Sequence, residues 1–316
     1  MKIGYFLSSE EWGPRALVAQ AVKAQKAGFE GLWISDHFHP WNDEQGHSPF
    51  VWSTIGAIAN ATEMKVTTAV TCPTVRIHPG IVAQAAATSA ILLEGRFCLG
   101  VGSGEALNEH VFGDHWPEAD ERLEMLEEAV EVIRLLWQGG LHDHRGRHYR
   151  LEHCRVYDLP DRPPPIVVSG FGPKAIELAA RIADGYCTVS PDAESVELYR
   201  SKAKNGSFVQ GGMKVCWDAD EAQARKTVHR LWPNEALPGE LAQILPTPEH
   251  FGQASQLVTE EMVAEEVLCG PDVDRHVAAI KEYADAGFNE LYINQIGPDQ
   301  DAFFAAYRTE VLPRVR

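Results

Sequence analysis

The feature that most constrains this chain is a rhythm of short, nearly all-apolar runs rich in β-branched and aromatic residues, each followed by a stretch with helical spacing. The runs are Ile3–Leu7, Gly31–Ile34, Val66–Val70, Phe97–Val101, Ile166–Val168, Tyr186–Val189, Lys214–Trp217 and Glu290–Asn294. Between them the spacing predicts helices over Pro14–Ala27, Pro49–Asn60, Gly80–Leu92, Ala119–Trp137, Pro173–Ala183, Ala193–Lys204, Asp220–Leu231 and Asp272–Ala286, with a closing helix over Ala302–Val311. Strands that are apolar on both faces belong to a parallel sheet covered on both sides. A count of about eight such units closes a (β/α)8 barrel. Local punctuation agrees, because Ala27-Gly28-Phe29 and Ala286-Gly287-Phe288 both end a helix with glycine and enter a strand. The surrounding K-A-Q-K-A-G-F-E-G-L-W-I and K-E-Y-A-D-A-G-F-N-E-L-Y-I read as the same βα unit met twice.

A chain of 316 residues, 45% of them apolar, has the size of one such barrel. No linker divides it, so residues 1–316 are expected to form a single domain. Two stretches exceed ordinary loop length, His142–Pro165 and Pro233–Gly270, and are expected as insertions. The six cysteines are scattered without a C-x-x-C pair, and Cys98, Cys187 and Cys216 fall in or at strands as small apolar residues. That usage predicts a reducing, cytoplasmic setting. The N-terminus reads as a strand and not a signal peptide, and no apolar run is long enough to span a bilayer. A net charge of −17 argues against nucleic acid as a partner, because phosphate backbones are held by clustered Lys and Arg. The charge itself reads as solvated helix faces such as Glu118–Glu131.

Chemistry gathers just past the strand ends. His37 follows the second strand, and an imidazole titrating near neutrality can take a proton from an alcohol as the carbon-bound hydrogen departs as hydride. The alternative is a histidine that only supports a polar loop. Asp36 is expected to orient that ring or to contact a cofactor, and Trp41 offers a flat, electron-rich face. Glu105 follows the fourth strand. An apolar ring beside it would favour the neutral carboxyl, which can then deliver a proton; the alternative is a capping carboxylate at a helix start. Glu10, past the first strand, is a further candidate base.

Gly100-Val101-Gly102-Ser103-Gly104-Glu105 suggests a dinucleotide fingerprint but does not complete it, since Glu105 stands at the last glycine position. A tight turn bringing amides close to a flat or anionic ligand suits it better. Ser169-Gly170-Phe171-Gly172-Pro173 leads from a strand directly into a helix and suits one phosphate group, or is an ordinary βα turn. His142, His144 and His148 lie with Arg145 and Arg147 but lack a completing carboxylate or cysteine, so no metal site is expected.

Taken together, S-D-H-F-H-P-W, Gln45-Gly46-His47-Ser48-Pro49-Phe50, G-V-G-S-G-E-A-L-N-E and S-G-F-G-P resemble the luciferase-like oxidoreductases that use the deazaflavin coenzyme F420. The nearest branch resembles the F420-dependent glucose-6-phosphate dehydrogenases, and the likeness runs in order along the chain. It implies a (β/α)8 barrel, commonly a homodimer, with coenzyme F420 in the C-terminal mouth. By matching position, His37, Trp41 and Glu105 would be catalytic, with Glu105 protonating the reduced ring; Glu10 joins them from its place past the first strand, as the alternative base to His37. Asp36, His37, Ser103, Gly104, Glu105, Asn108, Ser169, Gly170, Phe171 and Gly172 would hold the cofactor. Ala69 and Val70 match the segment where the family has a non-proline cis peptide behind the ring.

One departure bears on the substrate. The lysine that the sugar-phosphate enzymes carry after the sixth strand aligns with Pro191, and no Lys or Arg occurs between Leu231 and Asp274. Lys202 and Lys204 fall on a predicted solvated helix. Burying a phosphate dianion without cations is very costly. The expectation is therefore an F420-dependent dehydrogenase taking hydride from a neutral sugar or secondary alcohol. The alternatives are a sugar-6-phosphate dehydrogenase, an FMN-dependent monooxygenase of the same superfamily, and a deazaflavin-binding protein without turnover.

Overall fold

The computed structural model describes residues 1–316. Eight parallel strands follow the predicted rhythm: β1 Lys2–Leu7, β2 Gly31–Ile34, β3 Lys65–Thr68, β4 Phe97–Val101, β5 Ile166–Ser169, β6 Gly185–Thr188, β7 Phe208–Cys216 and β8 Glu290–Gln295. Each pairs with its neighbour in sequence, β8 pairs with β1, and β6 pairs with β7, so the sheet closes as the expected (β/α)8 barrel. The differences from the sequence reading lie at element ends. Strand β3 stops at Thr68, and β7 starts six residues before the predicted Lys214. The closing helix begins at Gln300 and passes through a π turn at Tyr307–Val311.

The barrel interior is filled from alternate residues of each strand. Trp33 stacks on Tyr292 with centroids 4.8 Å apart, and its Nε1 donates to Gln210 Oε1 at 3.1 Å. Gly4 is required beneath them, since a Cβ there would lie 2.3 Å from the Tyr292 ring. The Glu290 carboxylate, near the N-terminal end, is satisfied by Lys65, Gln210 Nε2 and Tyr292 Oη. That end is a packed polar plug, so a ligand must enter from the C-terminal mouth.

The two long stretches are structured. Residues His142–Arg145 and Arg150–Cys154 form an antiparallel hairpin that the sequence reading left as loop. It is tied to helix Ala119–Leu136 through Glu128, which accepts from His148 N and Tyr149 N at 2.9 Å and pairs with His144 Nε2 at 3.0 Å. Past β7, short helices at Leu241–Ile244, Pro248–Ala254 and Glu260–Glu266 lead to a strand, Leu268–Cys269, that pairs with β7. This segment helps form a separate cluster of 10 buried apolar residues, including Trp232, Val258 and Val263, with Trp41 at its edge.

Candidate active site

Glu10, His37 and Glu105 come from the loops after β1, β2 and β4 and meet in the mouth. His37 Nε2 lies 3.3 Å from Glu10 Oε1 and 3.8 Å from Glu105 Oε1. Glu10 is aimed by its other oxygen, which accepts from Ser8 Oγ and Ser35 Oγ, both at 2.8 Å. Trp41 meets the imidazole in a T-shaped contact with centroids 5.0 Å apart, and Phe251 of the insertion in another at 5.1 Å.

Asn108 joins the two acid–base residues. Its Oδ1 accepts from Phe38 N at 2.7 Å and His39 N at 2.9 Å, which fixes the amide orientation. Its Nδ2 then donates to Glu105 Oε1 at 2.5 Å and faces His37 Nδ1 at 2.9 Å. Glu105 does stand at the N-cap of the short helix Ala106–Glu109, yet its side chain makes no capping bond. The capping alternative is therefore set aside by geometry.

Of the two roles expected for Asp36, orienting the imidazole is not the one the structure shows. Its Oδ2 accepts from Thr71 Oγ1 at 2.7 Å, and its Oδ1 pairs with Arg76 Nη2 at 3.1 Å. Arg76 also holds Glu109, through its backbone N at 2.8 Å and its Nε at 3.4 Å. Burial pushes the Glu109 carboxyl up to about 7, with Arg76 acting against it. The sequence reading passed over Arg76 and Glu109, since nothing local marks Arg76 as the partner of carboxylates some thirty to forty positions away.

The segment Ala69–Arg76 thus tied down carries the non-proline cis bond between Ala69 and Val70. Half-buried Val70 lies so close to Gly102 that a Cβ there would sit 2.8 Å from Val70 Cγ2. Gly104 has φ +79°, with Cys72 Sγ 2.6 Å from where a Cβ would stand, so both proximity and conformation require glycine. Ser103 lies half-buried between them. Further round the rim, β5 ends at Ser169. Gly170 turns its carbonyl to Tyr186 Oη at 2.7 Å, and Phe171 is exposed. Gly172 caps helix Pro173–Ile182 without a side-chain bond, and a Cβ there would meet nothing within 4 Å. That helix start is open to a ligand, and its unpaired N–H groups suit a phosphate.

Two further groups escaped the sequence reading. Glu11, buried next to Glu10, accepts from Trp232 Nε1 at 2.5 Å and Gly297 N at 2.9 Å. Burial pushes its carboxyl up to about 7 against those bonds. Lys214, near the end of β7, pairs with Glu235 at 3.0 Å and holds its ammonium 4.6 Å from the Trp232 ring centroid. By contrast, Lys202 is exposed and pairs with Glu177 outside the barrel.

A closed (β/α)8 barrel with this constellation at its C-terminal mouth is of the luciferase-like kind. The family of luciferase-like monooxygenases matches residues 1–290, and the chain belongs to the luciferase-like family. Within it, the chain is 36% identical to the F420-dependent glucose-6-phosphate dehydrogenase of Amycolatopsis mediterranei (strain U-32), covering 100% of this chain and 99% of the relative. It is also 36% identical to the enzyme of that name from Mycobacterium avium (strain 104), covering 100% and 98%. An F420-dependent secondary alcohol dehydrogenase, solved with an F420–acetone adduct, superposes with a TM-score of 0.92 at 29% identity, covering 100% of this chain and 99% of that one.

Proposed function

We propose that this chain is a coenzyme F420-dependent dehydrogenase that takes hydride from a hydroxyl-bearing carbon of a neutral donor, a free sugar or a secondary alcohol. The observation that carries the reading is the convergence of Glu10 and Glu105 on the His37 imidazole beside Trp41, in a barrel that superposes on an alcohol dehydrogenase of this cofactor class. The mouth fits the coenzyme on its own geometry. Val70, Gly102 and Gly104 make a close-set apolar wall for a flat ring, and the open helix start at Gly172 suits a phosphate in the tail. Ser103, Asn108, Ser169, Gly170 and Phe171 complete the residues assigned to holding it, and Asp36 supports that wall through Thr71 and Arg76.

When bound, the coenzyme supplies the carbon that accepts two electrons and a proton's mass as hydride. The residues manage the accompanying protons. The fixed Asn108 amide can only donate to His37 Nδ1, at 2.9 Å, so neutral His37 carries its proton on Nε2 and directs it at Glu10 Oε1, 3.3 Å away, and the Glu10 carboxylate is the base that takes the donor's hydroxyl proton as the carbonyl forms. Ser8 Oγ and Ser35 Oγ hold Glu10 for that task by donating to its other oxygen. Glu105, held through Oε1 by Asn108, keeps its other oxygen to carry a proton on the ring side. Trp41 closes the pocket against water and presents its π face to developing positive charge.

The neutral-donor assignment rests on Pro191 at the position of the sugar-phosphate enzymes' lysine, and on the run from Leu231 to Asp274 that lacks Lys and Arg. We take the protein to act as a homodimer in the cytoplasm. Exposed Phe50, Ile81, Ile91 and Leu92 on or beside the adjoining helices Val51–Ala61 and Pro79–Leu92 support the first point, and six unpaired cysteines support the second. The test supplies purified protein with oxidised F420 and follows cofactor absorbance with alcohols, free sugars and sugar phosphates. Reduction by neutral donors is expected. Preferred turnover of glucose 6-phosphate would overturn the neutral-donor assignment, and no reduction by any donor would overturn the dehydrogenase.

A further inference from the structure

Lys214 brings a cation to the inner wall of the barrel, and its pairing decides what that charge can do. On β7, Gln210 bonds Trp33 and Glu290 inside the barrel, and Gly212 lies against the Trp33 ring. Lys214, two residues on, therefore projects from the same face at the C-terminal mouth. Its side chain is only 16% exposed. It is joined to the hydride-transfer site by contiguous contacts: Trp232 lies against its ammonium and bonds Glu11, and the adjacent Glu10 faces His37. Trp41, packed on the imidazole, also borders the apolar cluster that contains Trp232.

A mostly buried ammonium in such a mouth would be a natural seat for a phosphate or carboxylate on the donor. Glu235 prevents this by geometry. It sits in the turn Pro233–Ala236 where the insertion begins, places Oε1 3.0 Å from Lys214 Nζ, and leaves the pair with no net charge. An anion at Lys214 would stand beside the Glu235 carboxylate, whose charge opposes the attraction of the ammonium 3.0 Å away.

We propose that Glu235 is a specificity-determining residue that masks Lys214, so that the site rejects donors bearing an anionic group and accepts neutral ones. Resting on the dehydrogenase reading, this adds a cause for the choice of donor: the mouth does contain a cation, and that cation is already occupied. A purely structural role, tying the turn to β7, would lower turnover of every donor alike and leave their ratio unmoved.

The test compares wild type, Glu235→Gln and the double variant Glu235→Gln/Lys214→Met. Values of kcat/KM are measured for glucose against glucose 6-phosphate and for 2-butanol against 3-hydroxybutyrate. Binding of inorganic phosphate is followed separately through tryptophan emission, which needs no turnover. In Glu235→Gln the anionic-to-neutral ratio should rise at least about tenfold and phosphate should bind at least about fivefold more tightly, with both gains fading as salt is raised. Adding Lys214→Met should abolish both. A ratio within about twofold of wild type, or a gain that survives loss of Lys214, would overturn the proposal. Should Glu235→Gln misfold, Glu235→Ala removes the same charge and is held to the same outcomes. If wild type reduces F420 with no donor, the dehydrogenase reading fails, while the phosphate titration still decides whether Glu235 masks Lys214.

Discussion

Asn108→Asp exchanges one nitrogen for an oxygen where the two acid–base side chains meet. The retained Oδ1 keeps its backbone donors, Phe38 N at 2.7 Å and His39 N at 2.9 Å, so the side chain stays in place. The new oxygen stands where Nδ2 now sits, 2.5 Å from Glu105 Oε1 and 2.9 Å from His37 Nδ1. With charge centres about 4 Å apart and an effective dielectric of about 20, two carboxylates repel by about 4 kcal/mol, equivalent to about three pK units. The pair therefore shares a proton, and its upper ionisation moves up by about that amount. Below that ionisation the protonated pair imitates the amide; above it a second negative charge appears and Glu105 can no longer be held as it is. Initial rates of F420 reduction should place kcat/KM within about tenfold of wild type near pH ~5.5 and about 100-fold or more below it near pH ~8.5. Asn108→Ala, which leaves two backbone N–H groups without an acceptor at about 1–3 kcal/mol each, should lose activity by a constant factor across that range. Melting curves at each pH separate inactivation from unfolding. An Asn108→Asp profile parallel to wild type would refute the idea that this amide couples His37 to Glu105.

Three other perturbations probe the surroundings. Arg76→Met leaves the Asp36 and Glu109 carboxylates buried without their shared cation and should cost about 3–5 kcal/mol in urea unfolding; a loss below about 1 kcal/mol would show the triad to be dispensable. Glu11 is raised from 4.5 to about 7 by burial, so the stability it contributes is complete below about 4.5 and is lost as pH climbs through about 7. Glu11 contributes roughly 3 kcal/mol to the fall in wild-type stability over that window, Glu109 acts in the same sense, and Glu11→Gln should make the fall in melting temperature shallower by Glu11's share. Gly102→Ala puts a methyl 2.8 Å from Val70 Cγ2 and should weaken F420 binding about tenfold in a fluorescence titration, with about 1 kcal/mol of stability lost; unchanged affinity would remove Val70 from the ring wall.

The barrel was legible because its strands are buried on both faces, which makes each a short apolar run that little else imitates. Strand β7 shows where the signal fails. Its first half contains Gln210, Gly211 and Gly212, which break the apolar run, yet each is there for the barrel. Gln210 serves the buried Glu290 carboxylate, Gly211 clears room for the Tyr283 and Phe288 rings, and Gly212 does so for Trp33. The hairpin at 142–154 was hidden for the opposite reason. Its strands H-D-H-R and R-L-E-H-C are mostly solvent-facing, and a two-stranded ribbon held by one glutamate needs no apolar alternation.

Site residues were legible when their role followed from position on a single βα unit. His37, Glu105 and Glu10 needed only to stand just beyond a strand, and the fold brings all three to one point. Groups whose role depends on pairing between distant segments left no local mark. Arg76 matters because Asp36 and Glu109 flank it, Glu11 because Trp232 and Gly297 reach it, and Lys214 because Glu235 covers it. The choice of donor shows the consequence. Pro191 and the run from Leu231 to Asp274 offer a phosphate no cation. Lys214 lies outside both and projects into the mouth, so the lack of cations there does not by itself exclude a phosphate. What matters to an incoming anion is the net field at the seat, which depends on the carboxylate 3.0 Å away as much as on the ammonium. The neutral-donor reading therefore stands or falls with Glu235, and a homologous barrel that keeps the lysine but loses that carboxylate should accept the anionic donors this one turns away.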